Sequence, residues 1–337
     1  MIKTPFSPIC LFTYNRLEET KQTVVALQKN YLASKSELFI FSDGWKSELT
    51  RLEIEKVRIF LKTITGFKSI TIFEATINKG LANSIIEGVN QIINEYGKVI
   101  VLEDDLKTTP NFLDFMNQSL NFYKKNNSIQ SISGYSLDLK KDNDDYSDIY
   151  FQQRAHSWGW ATWKPNWNNC NFDLEILRDY VLDNKNKLTE FKVTCGVDID
   201  RMLLDAIYLR NNSWYVRWAF DQFLNDRYTV YPFLSKISNI GFGDNATHCT
   251  SINVYKTELD VLGKTNFNFI DFIDHKKYQR QFLSYFSVSY KIIYRILLLK
   301  SKTGRRSLMI DFNNKLKINY RKITQIIKGT RHKIKPE

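Results

Sequence analysis

The sequence predicts an α/β fold, a mostly parallel sheet flanked by helices, with a basic helical extension at its C-terminus. Three observations predict it. Short apolar runs alternate with amphipathic stretches through the first hundred positions, the pattern of βαβ units with right-handed crossovers. The run Val99-Ile100-Val101-Leu102 leaves no polar side for water, as in a strand buried on both faces. Charge is segregated as well. The chain carries a net +12, yet from Lys276 onward 17 Lys and Arg face only Asp311 and Glu337, a net +15, which leaves −3 for the first 275 residues.

In order, residues 8–13 read as a strand, 17–28 as a helix, 38–42 as a second strand ending at Asp43-Gly44, and 48–63 as a charged amphipathic helix. Residues 69–73 form a third strand. Asn78-Lys79-Gly80 then opens a helix over 81–94, which feeds the apolar run at 99–102. A helix begins near Pro110, and another covers 202–208. Composition is that of a globular chain long enough for one large domain with appendages. Residues 1–8 lack a signal-peptide core and no 18-residue uncharged apolar run occurs, so a cytoplasmic origin is expected. Cys10, Cys170, Cys195 and Cys249 have no metal-site spacing and read as reduced structural thiols.

The apolar run at 99–102 ends in Glu103-Asp104-Asp105. The carboxyl edge of an open α/β sheet is where ligands bind, and strand alternation points Glu103 and Asp105 one way and Asp104 the other. Three adjacent carboxylates repel unless a cation sits among them. A hard divalent ion, Mn²⁺ or Mg²⁺, suits such oxygen ligands when a phosphate completes its shell. The competing reading is an acidic turn capping the next helix. Gly-x-Gly-x-x-Gly and Walker lysine motifs are missing, which argues against dinucleotide and P-loop sites.

The order of these segments carries a resemblance. A strand ending in Thr13-Tyr14-Asn15-Arg16, a second ending in Ser42-Asp43-Gly44, then Asn78-Lys79-Gly80-Leu81 and Glu103-Asp104-Asp105 followed by Pro110 and Phe112, resembles the GT-A (Rossmann-like) nucleotide-sugar glycosyltransferases. It is similar in particular to the Golgi N-acetylglucosaminyltransferases that initiate complex N-glycans and to related bacterial surface-polysaccharide transferases. The resemblance spans residues 9–250. It implies a glycosyltransferase domain over 1–275, with a nucleotide-binding half (1–135) and an acceptor half (136–275), followed by a tail over 276–337.

The roles below are what that resemblance implies. Asp105 would bind Mn²⁺, Asp104 the ribose, and Glu103 would organise the pocket. Asp43 would meet uracil, with Thr13 and Arg16 on the same nucleotide. Lys79 before a helix N-terminus would meet the diphosphate, or be an ordinary exposed lysine. Ser157-Trp158-Gly159-Trp160 resembles the segment that shapes the donor-sugar and acceptor site, with Trp160 the expected contact. His156 either hydrogen-bonds the donor or is structural, and Trp163 and Trp167 read as core. The glycine-bearing loop over 239–249 resembles the one that closes on the diphosphate, placing His248 at the metal or pyrophosphate, with an incidental surface histidine as the other reading.

Inverting transfer needs a further carboxylate to take the acceptor proton. Asp221, among large aromatics in Trp214-Tyr215-Val216-Arg217-Trp218, is the favoured base, with Asp198 and Asp200 as rivals that could also cap a helix. The function expected is therefore a metal-dependent, inverting transferase moving a hexosyl or N-acetylhexosaminyl group from a UDP-sugar to a surface glycan or lipid-linked glycan acceptor, such as lipopolysaccharide, O-antigen or capsule. A sugar nucleotidyltransferase and a non-catalytic membrane-surface or nucleic-acid binding protein are the alternatives. In the tail, Leu283, Phe286, Tyr290, Ile293 and Leu297 recur at helical spacing among cations, which suits an anionic membrane and implies a peripheral location on the inner face of the plasma membrane. Packing against the main domain is the other reading, and no nucleic-acid partner is expected.

Overall fold

The central sheet has eight strands, and its order places an all-parallel half on one side and a mixed half on the other. A computed structural model describes residues 6–242, 255, 257–302, 304–310 and 312. The first half of the chain runs β1 (Ile9–Thr13), α1 (Leu17–Gln28), β2 (Glu37–Ser42), α2 (Glu48–Leu61), β3 (Ser69–Glu74), α3 (Leu81–Tyr96) and β4 (Lys98–Glu103). A short β5 (Leu106–Thr108) and α4 (Phe112–Tyr123) lead to β6 (Ile129–Ser133), β7 (Ile149–Gln152) and β8 (Trp160–Trp163). Five helices follow: α5 (Lys164–Asn168), α6 (Leu174–Asp183), α7 (Lys185–Cys195), α8 (Ile199–Ile207) and α9 (Trp214–Leu224). After β9 (Tyr228–Pro232) and β10 (Ile237–Asn239) come α10 (Lys276–Tyr285) and α11 (Val288–Leu299).

Sheet order is β3-β2-β1-β4-β8-β6-β9-β7, with β10 and β5 pairing antiparallel in a separate ribbon. Four of the seven pairings are parallel, as the βαβ pattern requires. The other three, β4 with β8, β6 with β8 and β7 with β9, are antiparallel. The expected α/β class, a mostly parallel sheet flanked by helices, is thus the observed one.

Two of the crossover helices show local reasons for their bounds. Ser47 opens α2 with a capping box, its hydroxyl taking the Thr50 N–H while Thr50 returns a bond to the Ser47 N–H. In α3, Ala82, Ile85, Val89, Ile92 and Ile93 form the buried stripe, each large side chain contributing about 1.5–3 kcal/mol by leaving water. Gly97 ends that helix at φ +78°, a left-handed position open to glycine. Every residue of β1 is buried, and β4 is buried from Val99 to Leu102.

The chain divides into two units, residues 1–240 with 257–287, and residues 241–256 with 288–337. The first unit therefore ends about a dozen residues beyond the boundary expected at 275. Tyr278, Phe282 and Phe286 are buried in it, and the Phe282 ring lies 5.2 Å from Tyr231 and 6.3 Å from Tyr150. Aromatics at successive helical turns thus cap the β7–β9 edge, and Phe286 belongs to that packing and not to a free tail stripe. Cys10, Cys170 and Cys195 are buried free thiols, and burial raises the pKa of each, Cys195 to about 12; Cys249 lies outside the described residues.

Candidate active site at the sheet edge

Strand register assembles the site. Phe12 of β1 pairs with Glu103 of β4, and Thr13 pairs with Ser42 of β2. Thr13, Asp43 and the acidic turn therefore leave the sheet side by side at its carboxyl edge. Asp104 is 3% exposed and Asp105 9%, so neither charge is well hydrated.

The cation among these acids belongs to the chain itself. Arg16, the residue before α1, places one guanidinium nitrogen 2.5 Å from Asp104 Oδ1 and 3.1 Å from Asp105 Oδ2. The Tyr14 N–H donates to Asp104 Oδ2 at 3.2 Å, and the Thr23 hydroxyl donates to the Asp104 carbonyl at 2.9 Å, so α1 and its lead-in clamp the turn. Burial pushes Asp104 up to about 6, helped by Asp105 and opposed by Arg16. Burial, followed by the charges of Asp105 and Asp104, pushes Glu103 up to about 8. For Arg16, burial opposes the charged form, but the two carboxylates outweigh it and its pKa rises.

Asp43 is organised differently. Its Oδ1 accepts the N–H groups of Gly44 and Lys79, each at 2.8 Å, and its Oδ2 accepts the Asn78 side chain at 2.9 Å and the Gly80 N–H at 3.0 Å. The carboxylate expected at uracil is thus also the clasp of the 78–80 loop. Gly44 is held against that loop so closely that a Cβ would lie 2.3 Å from the Ile77 carbonyl carbon. Arg58 of α2 ties the strand ends from behind, donating to the carbonyls of Ser42, Asp43 and Ala75. Lys79 turns its ammonium to Glu87, 2.6 Å away on α3.

Two buried hydroxyls where β1 runs into this edge, Thr13 Oγ1 and Tyr14 OH, have no hydrogen-bond partner among the described residues. An unmet buried hydroxyl costs about 1–3 kcal/mol, so both are suited to a polar ligand. Asp105 uses one oxygen on Arg16, and the Glu103 carboxylate accepts no hydrogen bond from a described residue. These oxygens fit a hard divalent ion that takes most of its shell from a diphosphate. No group of three His, Cys, Asp or Glu among the described residues could hold a metal by itself. His248 lies outside the described residues.

The remaining candidates sit elsewhere. Trp160 was expected at the sugar; it is 1% exposed, stacks 5.2 Å from Trp167 and lies 5.1 Å from Trp214 and 6.0 Å from Trp218, so it belongs to the core. Trp163 is partly buried and Trp167 is fully so. Two residues before Trp160, Trp158 is half-buried, against Tyr135 at 4.7 Å and His156 at 5.0 Å. Trp160 pairs with Val101 at the start of β8, and Tyr135, against which Trp158 packs, lies two residues beyond the end of β6. Gly159 between the two tryptophans sits at φ +59°, so the strand does not continue from Trp160 back to Trp158 and the two rings have different surroundings. His156 accepts the Trp158 N–H, and burial, with Arg154 adding to it, lowers its pKa to about 3.

Asp221 was the favoured base, and the register moves it away from the acids. Its Oδ2 accepts from the Gln130 side chain at 3.2 Å. Gln130 precedes Ser131, which pairs with Thr162, which pairs with Val99, so Gln130 is level with Lys98. Glu103 lies five residue steps beyond Lys98 along β4, about 16 Å at roughly 3.3 Å each. Burial does push Asp221 up to about 6, but at the opposite end of the sheet. Asp198 is held by Arg154 through two bonds, at 2.9 and 3.1 Å. Asp200 pairs with Lys192 at 3.1 Å.

No family model matches the chain, and no curated protein does. Among solved structures it is similar to the mannosyltransferase PcManGT from Pyrobaculum calidifontis, in complex with GDP-Man and Mn²⁺, at 13% identity and a TM-score of 0.32 over 48% of this chain and 46% of that one. It is also similar to S. aureus TarS 1–349, at 10% identity and a TM-score of 0.39 over 69% of this chain and 60% of that one. The match spans less than two thirds of either protein's length. Likeness this remote leaves the functional argument to the residues themselves.

Proposed function

We propose that this protein is a metal-dependent glycosyltransferase that moves a sugar from a nucleoside-diphosphate donor, UDP-linked, to a hydroxyl of a surface-glycan acceptor with inversion. One observation supports this above the others: a buried acidic turn, neutralised by Arg16, shares the carboxyl edge of the sheet with two hydroxyls that have no partner among the described residues. Asp105 would hold Mn²⁺ or Mg²⁺, with Glu103 beside it. The ion supplies neutralisation of the charge that develops on the departing diphosphate. Thr13 and Tyr14 would donate to the nucleotide, and Asp104, fixed by Arg16 and the Tyr14 N–H, would accept from it. Asp43 would set the 78–80 loop and so the floor of the pocket. Asp198 would be the base, with Asp200 as its rival, and freeing its carboxylate from Arg154 would be part of its task.

Calorimetry of UDP binding with and without Mn²⁺, on wild type and Asp105→Ala, tests the reading. Metal-dependent binding is expected in the wild type, and the variant should lose more than the roughly 10–100-fold that outer-shell partners of a metal cost. Absence of UDP binding in the wild type sinks the UDP assignment, and the same absence with GDP and CDP sinks the transferase.

A further inference from the structure

The second unit carries a helix whose apolar side faces outward. No residue of α11 is buried. Its exposed positions are 288, 289, 292, 293, 296, 297 and 299, successive turns of one half of the helix. Six of these seven are apolar, with Ile292, Ile293, Ile296 and Leu297 each more than half exposed. Tyr290, Lys291, Tyr294, Arg295 and Leu298 are the half-covered ones. A helix of a water-soluble domain normally turns its apolar stripe inward and its cations outward, so this arrangement is inverted.

Charge says what covers that face. Residues 288–310 contain Lys291, Arg295, Lys300, Lys302, Arg305 and Arg306 and no acid. Apolar side chains bordered by cations alone match a surface that offers acyl chains beneath anionic headgroups. We infer that α11 docks this protein on an anionic lipid bilayer, lying in the interface with Ile292, Ile293, Ile296 and Leu297 inserted.

Spanning is excluded by length and by the neighbouring helix. Twelve residues reach about 18 Å, short of the roughly 30 Å of a hydrocarbon core. No single described helix is long and apolar enough to cross a membrane. Composition would allow α10 to add to α11, but Tyr278 and Phe282 of α10 are buried in the first unit, which keeps that helix on the protein. The docking stands independently of the transfer reaction, because it uses no residue of the acidic edge.

The test is co-sedimentation of the full chain with vesicles of phosphatidylcholine alone and of phosphatidylcholine with phosphatidylglycerol, at low and at 0.5 M salt, with urea melts showing that the first unit stays folded. Wild type should pellet with the anionic vesicles at low salt and stay in solution with the neutral ones. Ile293→Asp with Ile296→Asp should bind at least about tenfold more weakly, and so should Lys300→Glu with Arg305→Glu, at about fivefold or more per cation reversed. Binding unaffected by both variant pairs overturns the proposal, as does wild type that ignores anionic vesicles. Light scattering that shows a dimer which Ile293→Asp dissociates would overturn it in favour of a second copy as the occupant. UDP binding measured on the same samples separates the two readings: its loss with intact docking falls on the transfer reaction alone.

Discussion

Asp104 and Asp221 are both nearly buried aspartates that burial pushes up to about 6, yet they lie at opposite ends of the sheet and keep different company. Asp104 has a second carboxylate beside it, a guanidinium across both, and hydroxyls at the same edge with no partner among the described residues. Asp221 has the amide of Gln130 and the side of an aromatic-rich helix. A raised pKa thus marks desolvation in both places. Only where strand ends converge with unmet polar groups does it mark a site.

The largest test of that contrast removes the cation. Arg16→Ala leaves Asp104 and Asp105 buried and mutually repelling, a loss of about 3 kcal/mol in urea denaturation with chelator present. Millimolar Mn²⁺ should restore much of it, since the ion takes over the neutralising role. A variant as unstable with Mn²⁺ as without would show that these oxygens do not accept the ion.

Next comes the other aspartate. Asp221 has a folded pKa above its unfolded value of 3.8, so the folded state binds the extra proton between about 4 and 6. The wild type therefore loses stability as pH rises through that window. The comparison with Asp221→Asn, which does not titrate, should show a relative loss of about 2 kcal/mol for wild type from pH 4 to pH 7, after allowance for partial exposure. Transferase activity of Asp221→Asn should stay within a few-fold of wild type; a thousandfold drop would return Asp221 to the mechanism.

Asp43→Asn sharpens the contrast between a clasp and a ligand. One oxygen of a four-bond acceptor becomes a donor facing the Gly80 N–H, so a loss of about 1.5 kcal/mol is expected from the 78–80 loop even without nucleotide. Unchanged stability with weakened UDP binding would make Asp43 purely a ligand contact. The smallest effect belongs to Thr13→Val. Removing a hydroxyl with no partner among the described residues should leave stability equal or raise it by up to about 1 kcal/mol, while UDP binding weakens several-fold. Destabilisation by 1 kcal/mol or more would assign that hydroxyl a structural bond.

Much of this architecture was legible in the sequence. Alternation of apolar runs and helical stripes placed the first four strands and the helices between them to within a residue or two, because local periodicity and caps such as Ser47 set them. Glu103-Asp104-Asp105 stood out because an apolar strand cannot end in three carboxylates without a counter-charge. That the counter-charge is Arg16, 88 residues before Asp104, was a tertiary fact. So were the Arg58 brace behind Asp43 and the burial of Trp160 in the core.

What the sequence by itself determined is what depends on neighbours along the chain: strand and helix spans, the acidic turn, the acid-free basic stretch from 288 to 310. What only the tertiary structure decided is which side chains meet across strands. Two aspartates that burial shifts alike differ in role because β6 and β8 enter the sheet with a register that sets one about 16 Å from the other's edge. Likewise Phe286 and Ile293 share one apolar stripe in sequence, and a helix break after Tyr285 buries the first while leaving the second exposed. Burial is a property of partners, and partners are chosen by the fold.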